Sequence, residues 1–537
     1  GMFNGYIVGP GVDLTNANLT GADLTGFDLT GTNLSDATLT DVVSGSITGS
    51  PTLPAAYGMY SGYIVGPGVD LTNANLRYAD FTGFDLSGAN LTGATLIGAT
   101  LTDVASGSIT GTPTLPAAYG MLSGYIVGPG VDLTNANLTD ADFTGFDLTG
   151  VTLSGADLTS AYLVGVNLRS TTLIGADLSR ADLEGADLSG ADLSSANLDA
   201  AYLTGADLTD TTLTNVYSYN ITGTPMLPAD FIMYGGHIVG PGVNLHDAIL
   251  TRADLTGLDL TGTNLSDATL AYVVSGSITG TPTLPSSYSI ITGYIFGPLV
   301  DLTGVDLTGF NLSGIDLTSA RLSNATLTDT DLSGTDLSRA DLTGVISGGS
   351  ITGTPTLSEP YGMVKNYIVG PDVNLNGADL SGAALHYYDL SSANLTGVIS
   401  GGTWGSPTLP ASYSLVNGNI VGPDVNLSGA DLSGLNLTGV DLSAADLTGV
   451  ISGNIIGTPT LPAAYGMVNG YIVGPDVNLN GADLSGADLT SFDLTGADIT
   501  DANLNGITSG NIIGTPTFSS SYSIVKGYIV GPNVNLN

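Results

Sequence analysis

From Val131 to Asn215 the chain reads VDLTN ANLTD ADFTG FDLTG VTLSG ADLTS AYLVG VNLRS TTLIG ADLSR ADLEG ADLSG ADLSS ANLDA AYLTG ADLTD TTLTN. Leu or Phe stands at 133, 138, 143 and every fifth residue to 213. Two places before it lies a small apolar residue, most often Ala. Asp or Asn commonly stands between them, Ser or Thr follows, and Gly often closes the five. This is the longest uninterrupted block, 131–215, of a pattern that runs through most of the chain.

A helix does not explain a period of five, because residues five apart diverge by about 140° at 3.6 residues per turn. An ordinary strand alternates with period 2. A chain that turns a corner every five residues does explain it. Leu then points inward from each side, the small residue tucks into the corner, and Asp, Thr and Gly face water, with Gly easing the turn. Four sides close a square coil of about 20 residues, and coils stack at strand-like spacing, about 4.8 Å. Each coil buries its Leu only against its neighbours, as in any solenoid. Leu133, Leu153, Leu173 and Leu193 are expected to stack in one internal column.

Ala186-Asp187-Leu188-Ser189-Gly190 and Ala17-Asn18-Leu19-Thr20-Gly21 fit the pattern A(D/N)LXX, which recurs from Asp13 to Asp488 and beyond. In this the chain resembles the pentapeptide-repeat family. The resemblance implies a right-handed quadrilateral β-helix. The fold class expected is therefore all-β, a right-handed four-sided β-solenoid with recurring Pro/Gly interludes, running as one continuous solenoid over residues 1–537.

The interludes carry Ser-Ile-Thr-Gly-(Thr/Ser)-Pro-Thr-Leu-Pro, then Tyr, then Gly-Tyr-Ile-Val-Gly-Pro. The Tyr of the last element, or its substitute, is at Tyr6, Tyr63, Tyr125, His237, Tyr294, Tyr367, Asn419, Tyr471 and Tyr528. The steps are 57, 62, 112, 57, 73, 52, 52 and 57. All but one equal 52 plus a multiple of five. The exception, 73, carries an extra glycine at Gly348-Gly349. Units thus grow by whole sides of the square. Leu39 and Leu71, which flank an interlude, are 32 residues apart. That predicts continued winding with a two-residue bulge near the Pro-Thr-Leu-Pro corner, or else a loop folded against the outside. Twenty-one residues after each motif position but the last, the small corner site is bulky: Phe27, Phe84, Phe146, Leu258, Ile315, Tyr388, Val440 and Phe492. These side chains are expected to lie one layer from the motif, filling space the irregular segment leaves.

Charge is one-sided: 8 Lys+Arg against 48 Asp+Glu, net −40. Such a surface repels nucleic acid and anionic membranes. With no cysteine there are neither disulfides nor thiolate metal sites. No apolar run approaches the roughly 20 residues a membrane helix needs. Gly1 and Asn537 both fall within a repeat. This predicts a section of a longer array, or copies stacking end to end.

Catalytic material is sparse. His237 replaces a motif Tyr and is expected to pack. His246 stands beside Asp247, but adjacent residues on a bend are expected to diverge, so no relay or metal site is assigned. His386 lies in a degenerate pentad before Tyr387-Tyr388. Trp404 aligns with Ile456 and Thr48 of other units and is read as a packing residue. The outward Asp rows suit a diffuse counterion cloud, with weak Ca²⁺ binding as the cofactor-like exception. Asn18, Asn33, Asn90 and Asn264 head glycosylation-type triplets that the repeat itself generates. No catalytic, cofactor-binding or metal residue is assigned, and the chain is expected not to be an enzyme: acid–base pairs of Asp are everywhere, so none is special.

The function expected is structural: a rod of about 27 coils, about 130 Å long, serving as a building block of an extracellular, cell-surface or virion-surface fibre or filament. One alternative comes from the resembled family, some of whose members are acidic β-helices that occupy the DNA site of type II topoisomerases. Here the charge is one per about 3.3 Å, against one per about 1.7 Å in duplex DNA. A carbohydrate- or ice-binding solenoid is the other. The partners expected are copies of the chain or further repeats, with no nucleic acid and no membrane insertion.

Overall fold

The computed structural model describes residues 1–348 and 350–536. They fall into two compact units. One comprises Gly1–Leu270, Gly276–Ser286 and Thr292–Tyr294, the other Ala271–Ser275, Ser287–Ile291 and Ile295–Asn537. Each is built the same way.

The corner is dictated locally. In the pentad around Leu14, the Leu14 carbonyl accepts the Ala17 N–H at 2.9 Å, and Asn16 between them has φ +58°. That is a turn with a left-handed third residue, which Gly and Asn adopt most easily. Here Asp and Ser also take it, as at Asp36 (φ +57°) and Ser160 (φ +57°). The left-handed backbone at the fifth position favours Gly, Asn, Asp and Ser, although Arg180, Ala200 and Tyr78 take it too.

Sides stack in parallel at intervals of 20 residues. The bridges Asp132↔Thr152, Thr152↔Thr172, Thr172↔Asp192 and Asp192↔Thr212 run up one face. Each rung makes two bonds, as where Leu153 N–H donates to Thr172 O at 2.7 Å and Thr172 N–H donates to Val151 O at 3.0 Å. Leu133, Leu153, Leu173 and Leu193 flank these rungs and are at most 1% exposed, in the single column expected. The corner residues Ala156, Ala176 and Ala196 are equally buried. The fold is the four-sided β-helix that the period implied, of the right-handed kind that the family resemblance implied.

The interlude differs from both expectations. Its first side is one residue short, with Asn33 bridging Thr52. The following coil is long: Val43 bridges Asp70, and the same 27-residue spacing recurs at Ala105↔Asp132, Tyr217↔Asn244 and Ile451↔Asn478. The surplus is an antiparallel hairpin, Gly58–Tyr60 against Tyr63–Val65, not a two-residue bulge. Nor is it an outside loop, because Ile64 and Val65 are fully buried. Like hairpins follow, for example Gly120–Leu122 with Tyr125–Val127 and Gly466–Val468 with Tyr471–Val473. The glycine expected as the insertion, Gly349, lies outside the described residues. Around it the spacings are each one longer, at Asp331↔Thr352 and Ile346↔Asn374.

Candidate functional site

The hairpin layer is held by a residue that reading the sequence passed over. Ser44 occupies an inward position where the period calls for Leu, and it is buried. Its Oγ accepts the Ile64 N–H at 2.9 Å. The same tie joins Ser106 to Ile126, Ser218 to Ile238, Ser275 to Ile295, Ser347 to Ile368, Ser400 to Ile420, Ser452 to Ile472 and Ser509 to Ile529, all at 2.8 to 3.0 Å. A buried peptide N–H left without a partner costs about 1–3 kcal/mol, so a polar atom is needed at an otherwise apolar site. The signal was present in the sequence as a Ser replacing Leu once per unit.

The motif tyrosines close gaps that the hairpin opens in the wall. Tyr125 Oη accepts the Asn137 N–H at 3.1 Å, and Tyr471 Oη accepts that of Asp483 at 3.0 Å. The other motif tyrosine, Tyr57, donates to Pro67 O at 3.0 Å. Its ring lies so close to Gly66 that a Cβ there would be 2.3 Å from Cδ1, which fixes the glycine of Gly-Pro. The aromatic corner residues Phe27, Phe84, Phe146, Tyr388 and Phe492 also lie where expected, one layer from the motif. The Phe84 ring covers Gly58, the first residue of the hairpin, at 2.6 Å from where a Cβ would be.

The outward Asp rows do more than face water. Asp28 Oδ1 accepts the N–H and the hydroxyl of Thr30, at 3.0 and 2.6 Å. Asn18 does the same for Thr20, which is why Asp and Asn interchange. Between layers, Asn33 Nδ2 reaches Asp13 Oδ1 at 3.2 Å, and Asn503 Nδ2 reaches Asp483 Oδ1 at 2.9 Å. The Thr30 hydroxyl and then its N–H hold the Asp28 carboxyl below the usual 3.8, and Asp259 and Asp493 are held down likewise by Thr261 and Thr495. A folded-state value below the unfolded one means that the unfolded chain binds protons first as pH falls. The stability these groups contribute is fully present above pH 3.8 and is lost as pH falls through their lowered values. A thermal-melting series should thus be flat from pH 7 to about 5 and drop only below 3.8. A fall already under way at pH 6 would count against the Asx contacts.

His237 packs as expected: it is 2% exposed, its Nδ1 is 2.7 Å from Ser218 O, and its ring meets Tyr219 edge-on at 5.1 Å. His246 does not diverge from its neighbour. Its Nε2 lies 3.2 Å from Asp247 Oδ2, and its Nδ1 lies 3.7 Å from Asp267 Oδ2 one layer away. The left-handed corner at Asp247 (φ +61°) turns the carboxylate back toward the imidazole. Among the described residues this trio is the one group of three such side chains close enough to share an ion, and all three are exposed. Trp404 sits on the wall, bridged to Ala384, as Ile456 is to Asn436 and Thr48 to Asp28. It is 55% exposed, so it is not a core packing residue. Side chains at that place in the pentad point outward.

The sequence model for pentapeptide repeats matches residues 11–43, 68–104, 129–155, 153–190, 176–215, 241–270, 300–334, 320–346, 371–399, 424–451 and 476–508, more than half of the chain. This chain belongs to the pentapeptide-repeat family. The gaps between matches are the hairpin layers, so the pentapeptide-repeat protein departs from its family's pattern where the Ser ties and motif tyrosines act. No curated protein matches it in sequence.

Among solved structures it is similar to HetL, a pentapeptide repeat protein involved in heterocyst differentiation regulation from the cyanobacterium Nostoc sp. strain PCC 7120. The identity is 27%, covering 51% of this chain and 88% of that one, with a TM-score of 0.11. Rfr23, a pentapeptide repeat protein from the cyanobacterium Cyanothece 51142, is 23% identical over 29% of this chain and 87% of its own, with a TM-score of 0.14. Full-length QnrB1, a plasmid-mediated fluoroquinolone resistance protein, is 14% identical over 45% and 86%, with a TM-score of 0.09. With TM-scores this low, the family assignment rests on the repeat matches. No enzyme family is indicated.

Proposed function

We propose that this pentapeptide-repeat protein is a structural building block whose length is set by the number of pentads, used in an extracellular, cell-surface or virion-surface fibre or filament. One observation carries the reading. Units that differ by whole pentads keep the same four-sided wall, because bridges at 20 residues resume beyond the hairpin layers inside the chain, as at Asp70↔Asn90, Asp132↔Thr152 and Asn478↔Asp498. Length can therefore change without altering cross-section or creating a pocket. Neighbouring layers pair edge to edge along the wall, the kind of contact by which another copy would add. A head-to-tail contact of that kind does not close and gives an open filament.

Sedimentation with electron microscopy over a concentration series tests this. Filaments that lengthen with concentration are expected. A monodisperse 53.8 kDa species throughout, with antibodies to the chain labelling no fibre or surface in its source, would overturn it.

A further inference from the structure

We infer that the cleft between Glu359–Tyr361 and His386–Tyr388 is a binding site for a neutral hexose oligosaccharide, with the Trp404 indole as an adjoining platform. The cleft itself is a product of the repeat. The connection into each hairpin lies across a shallow gap from the bulky corner residue one layer on. In a later unit the gap is lined by Ala463, Ala464 and Tyr465 on one side and by Thr490, Ser491 and Phe492 on the other. Asp493 and Ile513 line it as well, and the left-handed corner is held by Ser491, so no ring stands at it.

In the Glu359 unit the same gap, about 400 Å³, is lined by Glu359, Pro360, Tyr361, His386, Tyr387 and Tyr388. Glu359-Pro360 stands where other units have Ala55-Ala56 or Ala117-Ala118. His386-Tyr387 stands where others have Thr82-Gly83 or Thr144-Gly145. Trp404, the chain's one tryptophan, stands where others have Thr48 or Ile456. Three departures from the repeat, separate in sequence, thus meet in space. His386 touches Trp404 edge-on at 4.5 Å and 87°, and lies 5.9 Å from the Tyr387 ring. Tyr387 is 88% exposed and Trp404 55%.

Tyr387 holds the left-handed corner at φ +62°, a place where a bulky residue is an outlier and Gly is the repeat's usual choice. The same corner carries Tyr78, 75% exposed, and Tyr272 in other units; what sets Tyr387 apart is the company of Glu359, His386 and Trp404. The apolar C–H face of a pyranose carries slight positive charge and stacks on the negative face of an aromatic ring. The Glu359 carboxylate and the His386 imidazole at the edge can take the ring hydroxyls. A small gap of this size with a few polar groups is in the range of small-molecule sites. Tyr387 and Trp404 are both open to solvent, and an exposed ring face suits a sugar better than an organic cation, which is held best when desolvated. The carboxylate and the net charge of −40 disfavour an anionic glycan.

The single tryptophan makes the test specific to this site. The full chain is titrated with hexasaccharides of β-1,4-linked glucose, mannose and N-acetylglucosamine, and with tetramethylammonium, while Trp404 emission and binding heat are followed. Expected is a saturable emission change with at least one sugar, weakened about tenfold or more in Tyr387→Gly and in Glu359→Ala. Both variants restore the residue other units carry, so folding is preserved. Retained binding in Tyr387→Gly overturns the assignment, as does a response to tetramethylammonium alone, or neither heat nor emission change with any sugar.

Discussion

Deleting one whole pentad, Ala186–Gly190, leaves the protein folded with its melting temperature changed by a few degrees, whereas deleting only Leu188–Gly190 unfolds the surrounding coils. The five-residue deletion rotates everything beyond it by a quarter turn. Because all four sides carry the same pattern, every inward Leu still meets an inward residue of the next layer. The chain's own units already differ by such steps, 52, 57 and 62. The three-residue deletion instead sets Leu193 opposite Ser170, so that Leu173 and Leu193 no longer stack. Displacing a buried Leu costs about 2–5 kcal/mol, and several are displaced at once, because all rungs crossing the cut lose register. Limited proteolysis reads the outcome. New cleavage between Ser170 and Asp210 is expected for the shorter deletion and not for the longer one. Equal resistance in both would show that layer register does not hold the wall together.

The second large effect is a pair. Gly1, Gly58, Gly120, Gly362 and Gly466 each lie against a ring, of Phe27, Phe84, Phe146, Tyr388 and Phe492 respectively. Where the hairpin begins with Ile232, Ser289 or Ser414, the corresponding residue is Leu258, Ile315 or Val440. Ring and glycine thus alternate with aliphatic and side chain, which is volume exchanged across one contact. Gly58→Ile alone overpacks the site and should cost about 1–3 kcal/mol. Phe84→Leu alone leaves space and should cost a similar amount. The double variant copies the Ile232/Leu258 pair and should be more stable than Gly58→Ile alone, with a coupling of about 0.5–3 kcal/mol. Hydrogen exchange of the Gly58–Val65 hairpin measures it locally. Strict additivity would sink the packing account.

The regular wall was legible because a single period of five, repeated through the chain, allows one geometry only. The position of the bulky residues was legible for a related reason: twenty-one residues is close to one turn, so Phe84 had to lie near the motif. The hairpin was not. Three-residue strands such as Gly58–Tyr60 and Tyr63–Val65 are too short to show a strand alternation. Ser44 was overlooked because a lone Ser at a Leu site looks like repeat decay until Ile64 is seen above it. The Asp role was half legible. That Asp28 faces water follows from its place in the pentad, but its bonds to Thr30 depend on the turn bringing residue i+2 back to the carboxylate. His246 and Asp247 meet for the same kind of reason, a left-handed corner that composition does not reveal. Trp404 and Tyr387 sit on the outside because wall and corner positions do, whatever the hydropathy of the residue there.

The central claim is that each interlude is a layer of the solenoid, its hairpin tied to the wall through a buried serine. Residue-resolved hydrogen exchange of Ile64, Ile126, Ile238, Ile295, Ile368, Ile420, Ile472 and Ile529 tests it most directly. Protection of Ile64 through Ile472 comparable to that of Leu153 and Leu173 in the pentad wall, and its loss at Ile64 alone in Ser44→Ala, is the result this structure predicts. Amides at these isoleucines that exchange as fast as those of a surface loop, unchanged by Ser44→Ala, would contradict it.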